Sequence, residues 1–403
     1  MGFMDERQKD LTTPYFIIEE KELLKNVTSL KNALEQYWGN NYIIGYSFKT
    51  NPLPWLLNYF KKHDFYAEVV SDDEYQLAYE IGYKNDRIIY NGPWKSRESF
   101  INALKNKSIV NIDSQRELYW LKELESINGE KIEVGLRVNF DLEQCCPHES
   151  AMGNEGGRFG FCYENGELKR AIDFIGSLSH VSLAGLHLHF STKTRSLNVY
   201  RAISKTACAI KKKYKLELKY IDIGGGFYGG LENKPQFKDY MEIIAKELSQ
   251  EFDKEKVKLI VEPGTSLVSS PFSFVTSVID VKQTTVNNFV VTDGSRINID
   301  PLMNKTRYFY TVMYKDDSKR KKLETQVIAG FTCMENDRIF KMENCPQLQV
   351  GDKIIYEKVG AYTIALSPLF ISYFPDVYVK NNEGIYKVRE KWTAKEFMMK
   401  SKL

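Results

Sequence analysis

Between residues 41 and 264 the chain alternates short apolar runs with amphipathic stretches, and no other feature restricts its fold as strongly. Eight runs read as strands: 42–48, 67–70, 87–91, 109–113, 133–139, 183–190, 220–223 and 258–262. Between them lie helix-patterned segments such as Pro54-Trp55-Leu56-Leu57-Asn58-Tyr59-Phe60. Eight strand-then-helix units fit a closed parallel (β/α)8 barrel better than an open doubly wound sheet, which usually has fewer strands. Barrel active sites are built at the C-terminal ends of the strands. Lys49, Asn91, Asn139, His189, Gly224 and Glu262 all fall at or just past the ends of their runs. Glu68 and Arg137 lie within theirs and would point into the barrel mouth.

Three of these strand ends carry complementary chemistry. Gly224-Gly225-Gly226 closes the run Tyr220-Ile221-Asp222-Ile223, and three successive glycines let backbone N–H groups converge on an anion. The same triplet on its own also serves as a tight turn. Glu262-Pro263-Gly264 closes a neighbouring run with a carboxylate that could hold a protonated ring nitrogen. Lys49 follows Tyr42–Phe48, where partial desolvation would favour the neutral amine required for covalent bonding to a carbonyl. Taken alone, a lysine at a strand end reads as a surface residue, since lysine is usually exposed. Together the three suit a charged aromatic cofactor with a phosphate at one end.

After residue 270 the pattern changes to short alternating runs separated by turns, at 272–281, 289–292, 325–328, 353–358 and 377–379. This reads as an antiparallel β-domain, which the early run Tyr15-Phe16-Ile17-Ile18 can join, with a helix over about 21–37 leading into the barrel. The expected division is 35–268 for the barrel and 1–34 with 269–403 for the β-domain.

The charge balance, 56 basic against 53 acidic residues for a net +3, gives no reason to expect nucleic acid or an anionic membrane as partner. No apolar stretch approaches the ~18 residues of a membrane span. Asp5, Glu6 and Asp10 stand where a signal peptide would be basic and then apolar, so a cytoplasmic location is expected. Six cysteines occur without CxxC spacing, and Cys145-Cys146-Pro147-His148-Glu149 reads as a loop near the site rather than a metal chelate. No metal is expected.

Taken in order, Tyr46-Ser47-Phe48-Lys49-Thr50-Asn51, Glu68-Val69-Val70-Ser71, Arg158-Phe159-Gly160, His187-Leu188-His189-Phe190, Gly224-Gly225-Gly226, Glu262-Pro263-Gly264, Cys333 and Gly360-Ala361-Tyr362 resemble the group III pyridoxal-phosphate decarboxylases. These are the relatives of diaminopimelate, ornithine and arginine decarboxylases, and the resemblance spans roughly residues 12 to 385. It implies a barrel joined to a β-sandwich, in a homodimer with active sites at the subunit interface. It also implies pyridoxal 5′-phosphate bonded to Lys49, with Glu262 keeping the pyridine nitrogen protonated. Gly224, Gly225, Gly226, Thr192 and Tyr362 would bind the phosphate, and His189 would stack on the ring. Glu68, Arg137 and Gly264 complete the implied cofactor site, and Cys333, from across the dimer, would protonate Cα. A free cysteine more commonly serves as a small buried hydrophobe.

The departures concern the substrate. Where diaminopimelate decarboxylases have Glu after the cysteine, this chain has Met334, with Glu335 one place on. Thr265 replaces the arginine after Glu-Pro-Gly, and a second arginine is replaced near Asp300. Neither Met nor Thr can pair with a charged substrate end as Glu and Arg do. Asp293 matches an aspartate that contacts the distal amine in ornithine decarboxylases, or else serves its turn. Arg296 or Arg307 could meet a differently placed carboxylate. The implied reaction is decarboxylation of a small-molecule substrate, a basic amino acid or an amino-acid conjugate. The alternatives are amino-acid racemisation, suggested by His189-Phe190-Ser191-Thr192, and a catalytically silent regulatory relative.

Overall fold

The computed structural model describes residues 11–124, 131–316 and 319–402; Asp5, Glu6 and Asp10 lie outside them. The chain divides into two compact units, one of Asn26–Ser266 and one of Met1–Lys25 with Leu267–Leu403. Strand β1 (Tyr15–Glu19) opens the described chain and runs directly into a helix over Glu20–Tyr37. That helix is where the chain passes from one unit to the other.

The larger unit holds β2 (Tyr42–Ser47), β3 (Tyr66–Val69), β4 (Ile88–Tyr90), β5 (Ile109–Ile112), β6 (Ile132–Asn139), β7 (Phe161–Cys162), β8 (Val181–His187), β9 (Tyr220–Asp222) and β10 (Lys258–Val261). All but β7 form a closed ring of parallel strands in the order β2-β3-β4-β5-β6-β8-β9-β10, with β10 returning to β2 through Leu259↔Tyr42. Each ring strand corresponds to one of the eight apolar runs. β7 pairs beside β6, outside the ring. The ring strands are apolar nearly throughout because helices cover one face and the barrel interior the other. Ile43, Ile89, Ala184, Tyr220 and Ile260 pack the interior. A Cβ at Gly185 would come within 2.1 Å of the Tyr220 ring, so a bare backbone there makes room for that plug.

The smaller unit is built on β11 (Phe272–Gln283), followed by β12 (Asn288–Thr292), β13 (Phe309–Met313), β14 (Lys322–Ala329), β15 (Arg338–Pro346), β16 (Lys353–Glu357), β17 (Asp376–Lys380) and β18 (Ile385–Arg389). β1 lies between β11 and β17, so the N-terminal run joins this sheet as expected. The sheet is mixed, because β1 with β17 and β12 with β14 are parallel pairs. Side-chain alternation identifies a strand but carries no record of its partner's direction. β13, β15 and β18 escaped the sequence reading because much of each is exposed, which leaves little apolar pattern. No helix among the described residues is long and apolar enough to cross a membrane.

Candidate active site

The C-terminal mouth of the barrel links Lys49, Glu68, Asn91, Arg137, His189, Gly224, Gly225 and Glu262 in one network. Lys49 sits in a single helical turn, Phe48–Thr50, immediately after β2. Its Nζ lies 2.6 Å from Glu68 Oε2, and Glu68, on β3, is buried. The Ser47 hydroxyl donates to the same carboxylate oxygen at 2.7 Å. Asn91, just past β4, donates its amide both to Glu68 Oε1 (3.1 Å) and to Glu262 Oε1 (2.5 Å). One amide therefore links the carboxylate beside Lys49 to the carboxylate at the end of β10. Asn111 on β5 orients that amide by donating to Asn91 Oδ1 at 2.8 Å, and accepts from the Tyr220 hydroxyl at 2.9 Å.

The glycine triplet lies against the same strand end. Glu262 N–H donates to Gly224 O at 2.8 Å, and a Cβ at Gly225 would stand 1.9 Å from Glu262 O. Gly224 has φ +67°, and a side chain there would also strike His189. The N–H groups of this turn do not all converge outward, as the sequence alone suggested. Gly224 N–H donates to Asp222 Oδ1 (2.9 Å) and Gly225 N–H to His189 Nδ1 (3.3 Å). An aspartate two residues before a turn captures its N–H locally, which leaves Gly226 N–H as the donor of the three without a partner among the described residues. The Thr192 hydroxyl oxygen accepts from Arg195 N at 3.1 Å.

Arg137 on β6 is almost fully buried, with Nη1 3.2 Å from Asp113 Oδ2 and Nη2 3.5 Å from the His189 carbonyl. Its guanidinium also lies over the Phe159 ring at 4.6 Å. Arg137 and His189 line a cavity of about 960 Å³ with the loop that contains His148, Arg158 and Phe159. The Cys145–Cys146 loop forms part of this wall through Gln144 and Pro147. Cys145 is exposed and Cys146 buried, so the adjacent thiols do not face a common point.

The charges are sorted by environment. Burial, reinforced by Arg137, lowers His189 to about 3, so its ring is neutral and Nδ1 can accept from Gly225. Burial raises Asp222 well above the carboxylate range, with the charge of Glu262 adding to the effect. Burial would raise Glu262 too, but His187, 3.4 Å away, and a hydrogen bond shared with Asp222 hold it well below its usual value. The result is a protonated Asp222 beside an anionic Glu262. His187, Asp222 and Glu262 bring potential ligand atoms within 4.8 Å of one another, a grouping absent from the sequence reading. An acid that retains its proton donates a hydrogen bond to Glu262 and is a poor cation ligand.

Glu74 lies next to this network and accepts from Val70 N at 2.9 Å. Burial, and then the charge of Glu68, push it up to about 7. A carboxyl raised in the folded state contributes stability that is complete below its unfolded value of 4.5 and is lost as pH rises through 7. Glu74→Gln, which keeps the acceptor, should flatten the decline in urea midpoint across that window. Parallel pH curves for the two proteins would refute the assignment.

In the smaller unit, Cys333 is exposed on a loop that Asp337 ties down. Asp337 accepts from Thr332 Oγ1 (2.6 Å), Ser295 Oγ (2.8 Å) and Arg296 N (2.9 Å). Met334 is half-buried, while Glu335 is exposed and reaches Arg338 at 3.4 Å. Asp300 is enclosed by Arg296 Nε (3.0 Å), the Tyr308 hydroxyl (2.9 Å) and Lys305 N (3.0 Å). Arg307 is exposed. Asp293 has both oxygens engaged, by the Thr13 hydroxyl (2.5 Å) and Ser277 N (2.8 Å), which suits its turn-holding alternative. Tyr362 is exposed with φ +57°, and Thr265 begins a short helix in the larger unit.

Ser47, Asn111, Asp113, His187 and Asp222 joined the network without having been singled out. The available signal was a polar residue inside an otherwise apolar strand, as in Ile109-Val110-Asn111-Ile112. A buried polar group there requires a partner.

A closed parallel barrel with an amine, an anionic carboxylate and a glycine turn at its mouth, joined in sequence to a mixed sheet, defines a class of cofactor-dependent enzyme. The family described as "Pyridoxal-dependent decarboxylase, pyridoxal binding domain" matches residues 21–269. The chain belongs to this family, and its cofactor is pyridoxal 5′-phosphate. Over 400 residues it is 27% identical to a probable chloroplastic diaminopimelate decarboxylase of Oryza sativa subsp. japonica, covering 96% of this chain and 79% of that protein. The crystal structure of diaminopimelate decarboxylase from Methanocaldococcus jannaschii superposes with a TM-score of 0.86 at 23% identity, covering 99% of this chain and 94% of the other. The arginine decarboxylase of Paramecium bursaria Chlorella virus gives 0.75 at 19%, covering 93% and 97%. At these identities the two structures speak for the fold.

Proposed function

We propose that Lys49 bonds pyridoxal 5′-phosphate and that Glu262 pairs with its ring nitrogen, for decarboxylation of a basic amino acid or an amino-acid conjugate rather than diaminopimelate. The observation that carries the cofactor assignment is the hydrogen-bonded path from Lys49 through Glu68 and Asn91 to Glu262. It brings an amine and an anionic carboxylate to one barrel mouth, beside a glycine turn that any side chain would fill. These residues fit the cofactor. Bound there, it supplies an electron sink for the pair left when carbon dioxide departs. Gly224, Gly225 and Gly226, with Thr192 and Tyr362, would hold the phosphate, and Gly226 brings an N–H that has no partner among the described residues. His189, kept neutral, adds no positive charge to compete with the protonated ring. Gly264 allows close approach, since a Cβ there would stand 2.1 Å from Thr50 Oγ1.

Substrate choice follows from what the chain lacks. By the resemblance, an arginine of diaminopimelate decarboxylases is replaced near Asp300, whose carboxylate is occupied by Arg296 and Tyr308. Met334 offers no charge to an ammonium group. A homodimer, in which Cys333 serves the partner's site, is supported by the exposed apolar residues Tyr362, Leu366, Phe370 and Ile371 on one stretch.

The test has two parts. Borohydride reduction of the holoenzyme should fix the cofactor to the peptide containing Lys49. Carbon dioxide release from lysine, ornithine, arginine and their conjugates should exceed that from diaminopimelate; diaminopimelate as the best substrate would overturn the specificity reading. For Cys333→Ala, carbon dioxide loss should survive better than correct reprotonation, with more aldehyde among the products. An unchanged product ratio would remove Cys333 from the acid role.

A further inference from the structure

Behind the mouth lies an ion pair that neither the cofactor nor the substrate assignment uses. Lys95 and Glu117 have fully buried side chains, with Lys95 Nζ 3.4 Å from Glu117 Oε1. The ammonium also donates to Gly92 O at 2.6 Å and to Asn111 O at 3.2 Å. It therefore pins the backbone just beyond Asn91, whose side chain donates to Glu262, to the backbone of Asn111, whose side chain donates to Asn91. Glu117 faces the other way as well: its Oε2 accepts from Asp113 N–H at 2.7 Å. Asp113 in turn holds Arg137 through Oδ2 and accepts from Gly160 N at 3.3 Å through Oδ1.

Two arms thus diverge from one buried pair. The first runs through Asn111 and Asn91 to Glu262, and the second through Asp113 and Arg137 to the His189 carbonyl. A buried ion pair is weak evidence for stability, because apolar residues of similar volume often serve as well. What apolar residues cannot do is gather two strand-end carbonyls and a backbone N–H around one point. Burial lowers Lys95 and raises Glu117, so keeping both charged costs stability that the arms must justify.

We propose that Lys95 and Glu117 are positioning residues for the decarboxylation, a clamp that sets Asn91 against Glu262 and Arg137 against His189 without touching the reacting atoms. The inference rests on the cofactor reading given above. The test compares the full-length parent with Lys95→Met/Glu117→Gln, which keeps the volume and the acceptor for Asp113 N–H while removing both charges. Each is assayed for thermal midpoint, pyridoxal phosphate dissociation constant, visible absorbance of the bound cofactor, kcat and KM.

The clamp predicts a folded, cofactor-loaded variant whose kcat falls about 10- to 100-fold with KM changed less, since misplacement by ~1 Å has that scale of effect. A shifted absorbance band should accompany the loss. A lowered thermal midpoint with kcat and absorbance unchanged would make the pair merely structural and overturn the proposal. If the double variant does not fold, Asp113→Asn and Asn111→Ser cut one arm each outside the pair. Each should lower kcat in a folded protein, and full activity in both would equally overturn the clamp. A parent that neither binds the cofactor nor releases carbon dioxide would sink the underlying function, whereas a working parent with a fully active variant sinks the clamp alone.

Discussion

Glu262→Gln is expected to lower kcat by about 10³-fold while leaving the fold intact, the scale seen when one preorganised electrostatic group is removed from a water-excluded site. Glutamine keeps the volume and can still accept from Asn91, which donates to Oε1 at 2.5 Å. What it loses is the negative charge that His187 and Asp222 together protect against burial. Without that charge nothing at the end of β10 keeps a ring nitrogen protonated. Cofactor should still attach at Lys49, so binding and turnover separate in this variant. The measurement is single-turnover carbon dioxide release with cofactor content determined in parallel. A loss below about tenfold would show that Glu262 does not serve the ring, since it would fall short of the usual effect of such a group.

Gly225→Ala should be severely damaging for a single added methyl. Its Cβ would stand 1.9 Å from the backbone oxygen of Glu262, and backbone on both sides leaves no flexible side chain to yield. Either the glycine turn or the end of β10 must move, so the phosphate contacts and Glu262 are displaced together. Hydrogen bonds to a charged group contribute ~1.5–3 kcal/mol each, so losing one or two weakens pyridoxal phosphate by at least about tenfold. Equilibrium dialysis of the cofactor, alongside the thermal midpoint, reads both effects. An affinity within about threefold of the parent would mean that this turn does not hold the phosphate, because no strong contact would have been lost.

Much of this was legible from residues alone, and the reason is local. The eight ring strands are largely buried on both faces, so their runs are apolar nearly throughout, and the residues at their ends announce the mouth. Lys49, His189 and Glu262 were placed at the mouth in this way, and Glu68 and Arg137 as charged residues within otherwise apolar runs. The edge strands β13, β15 and β18 were not found, because exposure removes the pattern that marks a strand. The roles of the glycine N–H groups were likewise hidden. Their capture by Asp222 and His189 depends on side chains whose directions the sequence does not record.

The succession of the eight barrel strands along the chain, the class of fold and the chemical types at the mouth were determined by the sequence itself, because periodicity and strand-end position are properties of neighbouring residues. Only the tertiary structure decided which of those groups meet. Asn91 joins Glu68 to Glu262, which lies 171 residues beyond Asn91 in the chain, and Asp222 keeps its proton because burial, and then the charge of Glu262, disfavour its anion. Such pairings arise from ring closure and low-dielectric burial, and both exist only once distant strands are in place.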